Sequence, residues 1–307
     1  MALLSVVTDL AVEFETHRPQ LFGLAYRLLG SASEAEDAVQ DAFVRLHRAD
    51  RAAIRSLPAW LAKVVTNVCL NELTSARSRR ETYAGPWLPE AVFTADGTLG
   101  PLETAEQRDS VSIALLTLME RLTPPERAAF VLREAFAYSH SDIADMLDTS
   151  EANARQLHHR ARQRLHEEAP RFRPDPAHWR VLVERFLDAA RGGDVTALAA
   201  MLADNATSTA DGGGQVGAAR RPVIGRDRVA RYLAGGFTRV SADIRLDFGA
   251  EVNGGPAVLA FVGPALGAVL FFEVADDRIT ELRIVANPDK LWFLGAQLSH
   301  RVGLSGS

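Results

Sequence analysis

The chain has 307 residues, and with 47% hydrophobic and 24% charged content it reads as globular, long enough for two or three domains with separate cores. Its single cysteine, Cys69, excludes a disulfide framework and a cysteine-based zinc site. The net charge of −5 is the wrong sign for a general DNA binder, so any nucleic-acid contact must come from local patches.

The charge is spread evenly: 20 basic and 24 acidic residues up to Arg173, 14 and 15 beyond it, with Lys63 and Lys290 the only lysines. No apolar run reaches the ~18 residues that span a bilayer. The N-terminus lacks a signal-peptide pattern. A cytoplasmic protein with no membrane contact is expected.

From about Asp9 to Arg80 the pattern is helical. Ser33 to Glu36 reads as a capping box. Ala35, Val39, Ala42, Phe43 and Leu46 then form one apolar stripe. The next helix opens near Pro58 and buries Leu61, Val64, Val65 and Val68, with Lys63, Asn67, Asn71 and Thr74 on its polar face. Residues 81–107 lose all period and hold acids but no base, which suggests a linker. Trp87, Leu88 and Phe93 are costly to leave in water, so part of it should dock.

Helices return at 108–168. "TPPE", Thr123 to Glu126, is a second capping box with proline at the first helical position. Helices over about Glu126–Phe136, Ser141–Leu147 and Glu151–Glu168 come next, and the short turn between the last two has helix–turn–helix spacing. On the last helix Ala154, Leu157, Ala161 and Leu165 share an inward face, while Arg155, Gln156, His159 and Gln163 point away. Such a helix suits a major groove, with Arg155 and Gln156 on base edges and Arg160, Arg162 and Arg164 on phosphates. A solvated basic face on a three-helix bundle is the alternative. Beyond a linker at 169–178, two helices, a Gly-rich stretch, a helix near Asp227 and four strand-like runs imply an α+β domain with an antiparallel sheet over 179–297, then a tail, 298–307.

"FVLREAFAYSHSDIADMLDTSEANARQLHHRARQRL" closely resembles region 4 of bacterial extracytoplasmic-function (ECF) sigma factors, "YRLLGSASEAEDAVQDAFVRLHR" their region 2.1–2.2, and "AWLAKVVTNVCLNELTSARSRR" their region 2.3–2.4. With "WLPE", "DGGG" and "NPDKL", the chain resembles the subgroup carrying a fused SnoaL-like domain. The implied architecture is two all-α sigma domains, a region 2 helical bundle (9–80) and a region 4 helix–turn–helix (108–168), plus an α+β SnoaL-like, NTF2-like cone. The implied function is promoter recognition and transcription initiation with core RNA polymerase, modulated in cis by the cone.

The resemblance also distributes roles. Glu34, Asp37 and Asp41, with Glu36 beside them, correspond to the helix that meets the polymerase β′ clamp; region 4 corresponds to the part that meets the β flap. Asn67 and Asn71 match contacts to the −10 element, with Arg77, Arg79 and Arg80 suited to phosphates and the loop at Arg51 and Arg55 to an unpaired base. Arg155, Gln156, His159, Arg160 and Arg162 correspond to the −35 reader. Trp87 and Leu88, Asp211 with Gly212, Gly213 and Gly214, and Asn287, Pro288, Asp289, Lys290 and Leu291 would serve contacts between the C-terminal domain and the sigma core. Where the subgroup tends to carry lysine after DGGG this chain has Gln215, which removes a salt bridge from that position.

Some SnoaL-like relatives are enzymes. Here His178 and His300 stand at the two ends of the block, and Asp211 in its glycine loop reads as a turn residue rather than a general base. No metal-ligand spacing or nucleotide loop is evident, so no catalysis, metal or cofactor is expected. The competing readings are a ligand-responsive one-component helix–turn–helix regulator and a sigma factor whose cone binds or turns over a small molecule.

Overall fold

The computed structural model describes residues 2–94, 97–100, 102, 104–166, 175–238 and 244–304; for 2–9, 76–79, 81, 105, 166 and 301–304 it describes the backbone alone. The chain forms two compact units, Met1–Glu81 with Val92–Ala169, and Thr82–Ala91 with Pro170–Ser307. The expected linker is therefore divided: 82–91 belongs with the C-terminal unit, and the stretch from Val92 onward belongs with the helices. The second expected linker, 169–178, lies outside the described residues up to position 174.

The first unit is helical: α1 (Ala2–Leu29), α2 (Ala32–Arg48), α3 (Leu57–Glu81), α4 (Ala105–Asp109), α5 (Ile113–Met119), α6 (Pro124–Glu134), α7 (His140–Met146) and α8 (Glu151–His166). Gly30, at φ +70°, ends α1 by donating to the Tyr26 carbonyl. The expected cap at Ser33 is corrected. The cap is Ser31, whose Oγ accepts the Glu34 N–H at 3.2 Å, and Glu36 pairs with Arg18 instead. The apolar stripe is as read, with Ala35, Val39, Ala42 and Leu46 buried. On α6, Glu126 reaches back to the Thr123 N–H at 3.0 Å. Ala154, Leu157, Ala161 and Leu165 of α8 are buried, as their spacing demands.

Two buried arginines join the helices. Arg27 on α1 donates to Ser110 Oγ at 2.7 Å, the Leu99 carbonyl at 2.8 Å and the Gly23 carbonyl at 2.9 Å, and its guanidinium lies over the Phe136 ring. Burial lowers its pKa to about 9, and four such partners are what keep a buried cation tolerable. Gly23 is required here, because a Cβ would fall 2.2 Å from the Leu99 oxygen. Arg127 on α6 donates to Glu120 Oε1 at 2.5 Å and to the Arg27 carbonyl at 3.2 Å.

The second unit carries α9 (Pro176–Arg191), α10 (Val195–Met201), β1 (Leu202–Asp211), β2 (Val223–Ile224), α11 (Arg226–Phe237), β3 (Ile244–Val252), β4 (Gly255–Val262), β5 (Ala265–Ala275), β6 (Arg278–Val285) and α12 (Pro288–Leu304). The sheet order is β2-β1-β6-β5-β4-β3. The four anticipated strands are present and antiparallel in sequence, but β1 pairs with β6 in parallel, which corrects the all-antiparallel reading. Trp179 and Phe186 of α9 meet Phe272 of β5 edge-on, and Trp179 Nε1 donates to the Phe272 carbonyl at 3.2 Å. Leu198, Leu202, Val229, Leu233, Leu270 and Leu282 complete the core. The expected tail is also corrected, since α12 continues through it to Leu304. His178 and His300 lie within α9 and α12, with exposed side chains. Helices α9, α10 and α11 pack on this mixed sheet, which makes the expected α+β domain.

Candidate nucleic-acid interface and clamp

On α3, Lys63, Asn67, Asn71 and Thr74 succeed one another at helical spacing; Asn71 and Thr74 are exposed, Lys63 and Asn67 half-buried. The two amides lie one turn apart, so both present donors and acceptors along one line. The side chains of Arg77 and Arg79 lie outside the described residues. Arg80 does not fit a phosphate contact: its guanidinium is mostly buried, paired with Glu120 and donating to the Leu29 carbonyl at 2.7 Å. Burial also pulls its pKa down. Arg51 pairs with Glu13 at 2.7 Å, and Arg55 is exposed.

On α8, Arg155, Gln156, His159 and Arg162 are exposed. Arg155 also pairs with Glu151 one turn earlier at 2.5 Å. Arg160 is half-buried, 3.3 Å from Glu126, a carboxylate that Arg164 also holds at 2.5 Å. Those two arginines thus fix α8 against α6, which limits Arg160 as a DNA contact. His158 turns inward to Glu134, Nε2 to Oε1 2.6 Å, and that hydrogen bond lowers the Glu134 pKa. On α2, Asp37 is exposed, Asp41 pairs with Arg45 at 2.8 Å, and Glu34 is half-buried.

The second unit concentrates its polar chemistry at one point. Asp211, the last residue of β1, has no exposure. Its Oδ1 accepts from the Tyr83 hydroxyl at 2.6 Å and the Gly213 N–H at 3.1 Å; its Oδ2 accepts from the Leu88 N–H at 2.8 Å and Lys290 Nζ at 2.6 Å. Lys290 also donates to the Leu88 carbonyl at 2.5 Å and lies 4.1 Å from the Trp87 ring centroid and 4.8 Å from that of Tyr83. Asn287 Nδ2 donates to the Tyr83 hydroxyl at 2.8 Å. Burial, and then the hydrogen bond to Asp211, push the Tyr83 phenol well above its ordinary range. Asp211 is therefore more than the expected turn residue. The turn exists, through Gly213, but the carboxylate also receives the strap of residues 83–88.

The remaining motif residues build the frame. Gly213, at φ +61°, has no room for a Cβ, which would meet the Asn287 side chain at 2.4 Å; one on Gly212 would meet the Val216 carbonyl at 2.5 Å. Gly214 faces Ala84. Pro288 occupies the first position of α12, with Asn287 Oδ1 accepting the Asp289 N–H at 3.1 Å. Leu291 is buried. Gln215 donates to Asp289 at 2.8 Å, a neutral substitute for an ion pair. Of the anchors, Leu88 is fully buried and Trp87 half-buried under Lys290. Tyr83 and the Leu88 backbone are not marked by the sequence; the only signal is an aromatic residue in a segment without period. Among the described residues, no cluster of three or more His, Cys, Asp or Glu could hold a metal, and no helix is long and apolar enough to cross a membrane.

Comparison with known proteins agrees with this layout. Residues 14–79 match the Sigma-70 region 2 family and residues 112–165 the Sigma-70 region 4 family. The ECF RNA polymerase sigma factor SigJ of Mycobacterium tuberculosis is 37% identical over 302 residues, 94% of this chain and 95% of that one. The same organism's "Probable ECF RNA polymerase sigma factor SigI" is 33% identical over 290 residues, covering 93% and 96%. The crystal structure of M. tuberculosis SigJ superposes with a TM-score of 0.71 at 33% identity, over 92% of this chain and 98% of that one. The C-terminal cone is included in that match. With both sigma regions in order and nearly the whole length shared, the chain belongs to the ECF RNA polymerase sigma factors.

Proposed function

We propose that the chain binds core RNA polymerase, recognises the −10 element through Asn67 and Asn71 of α3 and the −35 element through Arg155, Gln156, His159 and Arg162 of α8, and is restrained in cis by its C-terminal cone. The observation that carries the restraint is the Asp211–Lys290 pair closed over residues 83–88. That segment joins region 2 to region 4, and a sigma factor engaged on a promoter needs it extended through the polymerase. While its Leu88 N–H and C=O are held by the two members of a buried ion pair, it is not available. Asp37 and Asp41 supply register for polymerase docking, as charges on a single face do.

Run-off transcription with core polymerase tests this reading. Lys290→Met in the full-length chain is expected to change the rate of initiation relative to wild type. No transcript from either protein on a promoter library rules out the sigma assignment; equal transcript from both rules out the restraint. The cone acts here as a binding partner of the strap rather than as a catalyst. Asp211 has its oxygens occupied by four donors, one of them the Lys290 ammonium, so its acceptor capacity is already taken up.

A further inference from the structure

The most basic stretch of the second unit is not used by the clamp. Between Gly212 and Tyr232 the sequence carries Arg220, Arg221, Arg226, Arg228 and Arg231 against one carboxylate, Asp227, within a C-terminal block that is otherwise acidic. Arg226 is engaged internally, pairing with Asp204 and donating to the Leu202 carbonyl at 3.3 Å. Arg220, Arg221, Arg228 and Arg231 are exposed, and among the described residues none has an ion-pair or hydrogen-bond partner. Of the other exposed arginines, Arg45 pairs with Asp41, Arg155 with Glu151 and Arg180 with Glu184, while Arg48, Arg55 and Arg185 stand singly and form no such group.

Local structure gathers the four. α11 buries Val229, Ala230, Leu233 and Ala234, so Arg228 and Arg231, three positions apart, stand together on its outer face. The Tyr232 hydroxyl accepts the Ala219 N–H at 3.2 Å, which brings the loop holding Arg220 and Arg221 to the flank of the same helix. The neighbouring strand β2 then secures that loop to β1 through Thr207–Ile224 and Ser208–Val223. The loop bearing Arg220 and Arg221 thus lies beside the helix bearing Arg228 and Arg231, held there by that hydrogen bond and by the paired strand.

We propose that this arginine cluster is a contact for the DNA phosphate backbone, in addition to the two helical readers. The assignment rests on the promoter-binding function proposed for α3 and α8. Guanidinium forks match phosphate oxygens bidentately and stay charged at any working pH. A cluster without carboxylate partners has no internal electrostatic role, while its sign is opposite to that of the block that carries it. Such a patch orients an acidic domain on a polyanion and reads no bases. An acidic protein surface on polymerase is the rival occupant.

The test uses the full-length protein and a fluorescent mixed-sequence duplex, since a backbone contact needs no promoter. Affinity is measured by anisotropy across potassium chloride concentrations, for wild type and for the quadruple variant R220Q/R221Q/R228Q/R231Q. Each lost phosphate contact lowers the log–log salt slope by about 0.9, so the variant should fall by roughly 2 to 4. The smaller variant R228Q/R231Q should fall further than R180Q/R185Q on α9, which removes equal charge elsewhere. A slope equal to wild type overturns the proposal, as does an unchanged slope joined to weaker binding of core polymerase. A reduced slope in a protein that gives no run-off transcript from any promoter upholds the phosphate site and removes the promoter reading instead.

Discussion

Lys63 is tied to the turn ahead of α8: its ammonium lies 2.8 Å from Asp148 Oδ1 and donates to the Asp145 carbonyl at 2.6 Å. Lys63 is one helical turn from Asn67, so the proposed −10 and −35 surfaces are joined within one unit. The contact is largely exposed, and pairs of that kind contribute at most ~1 kcal/mol. The stronger joint is inside, where Glu120 receives both Arg80 and Arg127.

Glu120→Gln should therefore loosen the helical unit far more than Asp148→Ala. Breaking a mostly buried pair costs about 2–3 kcal/mol after discounting for the exposure of Glu120, against less than ~1 kcal/mol for the outer pair. Cys69 is the reporter: it is fully buried, and burial pushes its thiol pKa up, so it reacts only on opening. Thiol-labelling should accelerate roughly 30-fold or more in Glu120→Gln and change little in Asp148→Ala. Equal rates in the two variants would contradict this ranking.

Asp211→Asn should free the strap. The change leaves the Lys290 ammonium buried without its counter-ion, a cost of about 3–5 kcal/mol for a pair this enclosed. Limited proteolysis between Tyr83 and Leu88 should become faster, and Lys290→Met in the same chain should recover part of the loss.

The clamp should also loosen at alkaline pH. Tyr83 has its folded-state pKa raised above the ordinary value of about 10, so its contribution is fully present below that value and fades as pH rises above it. Tyr83→Phe removes the dependence along with the hydrogen bonds to Asp211 and Asn287. Stability of the C-terminal unit measured from neutral to alkaline pH should show a steeper decline in wild type than in Tyr83→Phe.

Gly213→Ala should disturb the same site through sterics alone. The new methyl collides with Asn287 and the backbone remains at a φ that L-residues disfavour, costing on the order of 1–3 kcal/mol. Strap proteolysis should rise as in Asp211→Asn, but without the Coulombic penalty, so the salt dependence should stay at the wild-type level.

On DNA the two readers should separate. Arg155→Ala is expected to cost about 1–3 kcal/mol of discrimination at a −35 base pair. Asn71→Ala should leave closed-complex binding nearly intact and reduce permanganate-reactive thymines in the open complex. Equal effects of both on closed-complex affinity would remove that division of labour.

Helical periodicity makes the first unit legible, down to the inward faces of α2 and α8, because each stripe of alanine, valine and leucine recurs at the spacing of one helix face. The capping residue of α2 is displaced by two positions from its expected place because Ser31 and Ser33 both precede an acid by three. β1 is not legible: after Leu202, "ADNATSTAD" holds no large apolar residue, and its pairing with β6 comes from its place between β6 and β2 rather than from its own pattern. Arg80 looks like the end of a basic run; its carboxylate partner lies forty residues away, beyond any local signal. The motif residues of the clamp are identifiable by resemblance, while the part of Tyr83 depends on a hydrogen bond across 128 residues of sequence.

The parallel run of β1 and β6 has a mechanical corollary. Their C-terminal ends, Asp211 and Val285, lie side by side, so the jaw formed by Asp211 and Lys290 is anchored to adjacent rails of one sheet. Pulling those rails apart means unzipping a ladder in the middle of the domain, whereas the backbone of the strap meets the jaw through the N–H and C=O of Leu88. On the proposed function, traction on the chain would extract the strap and leave the jaw whole, ready to close again after release.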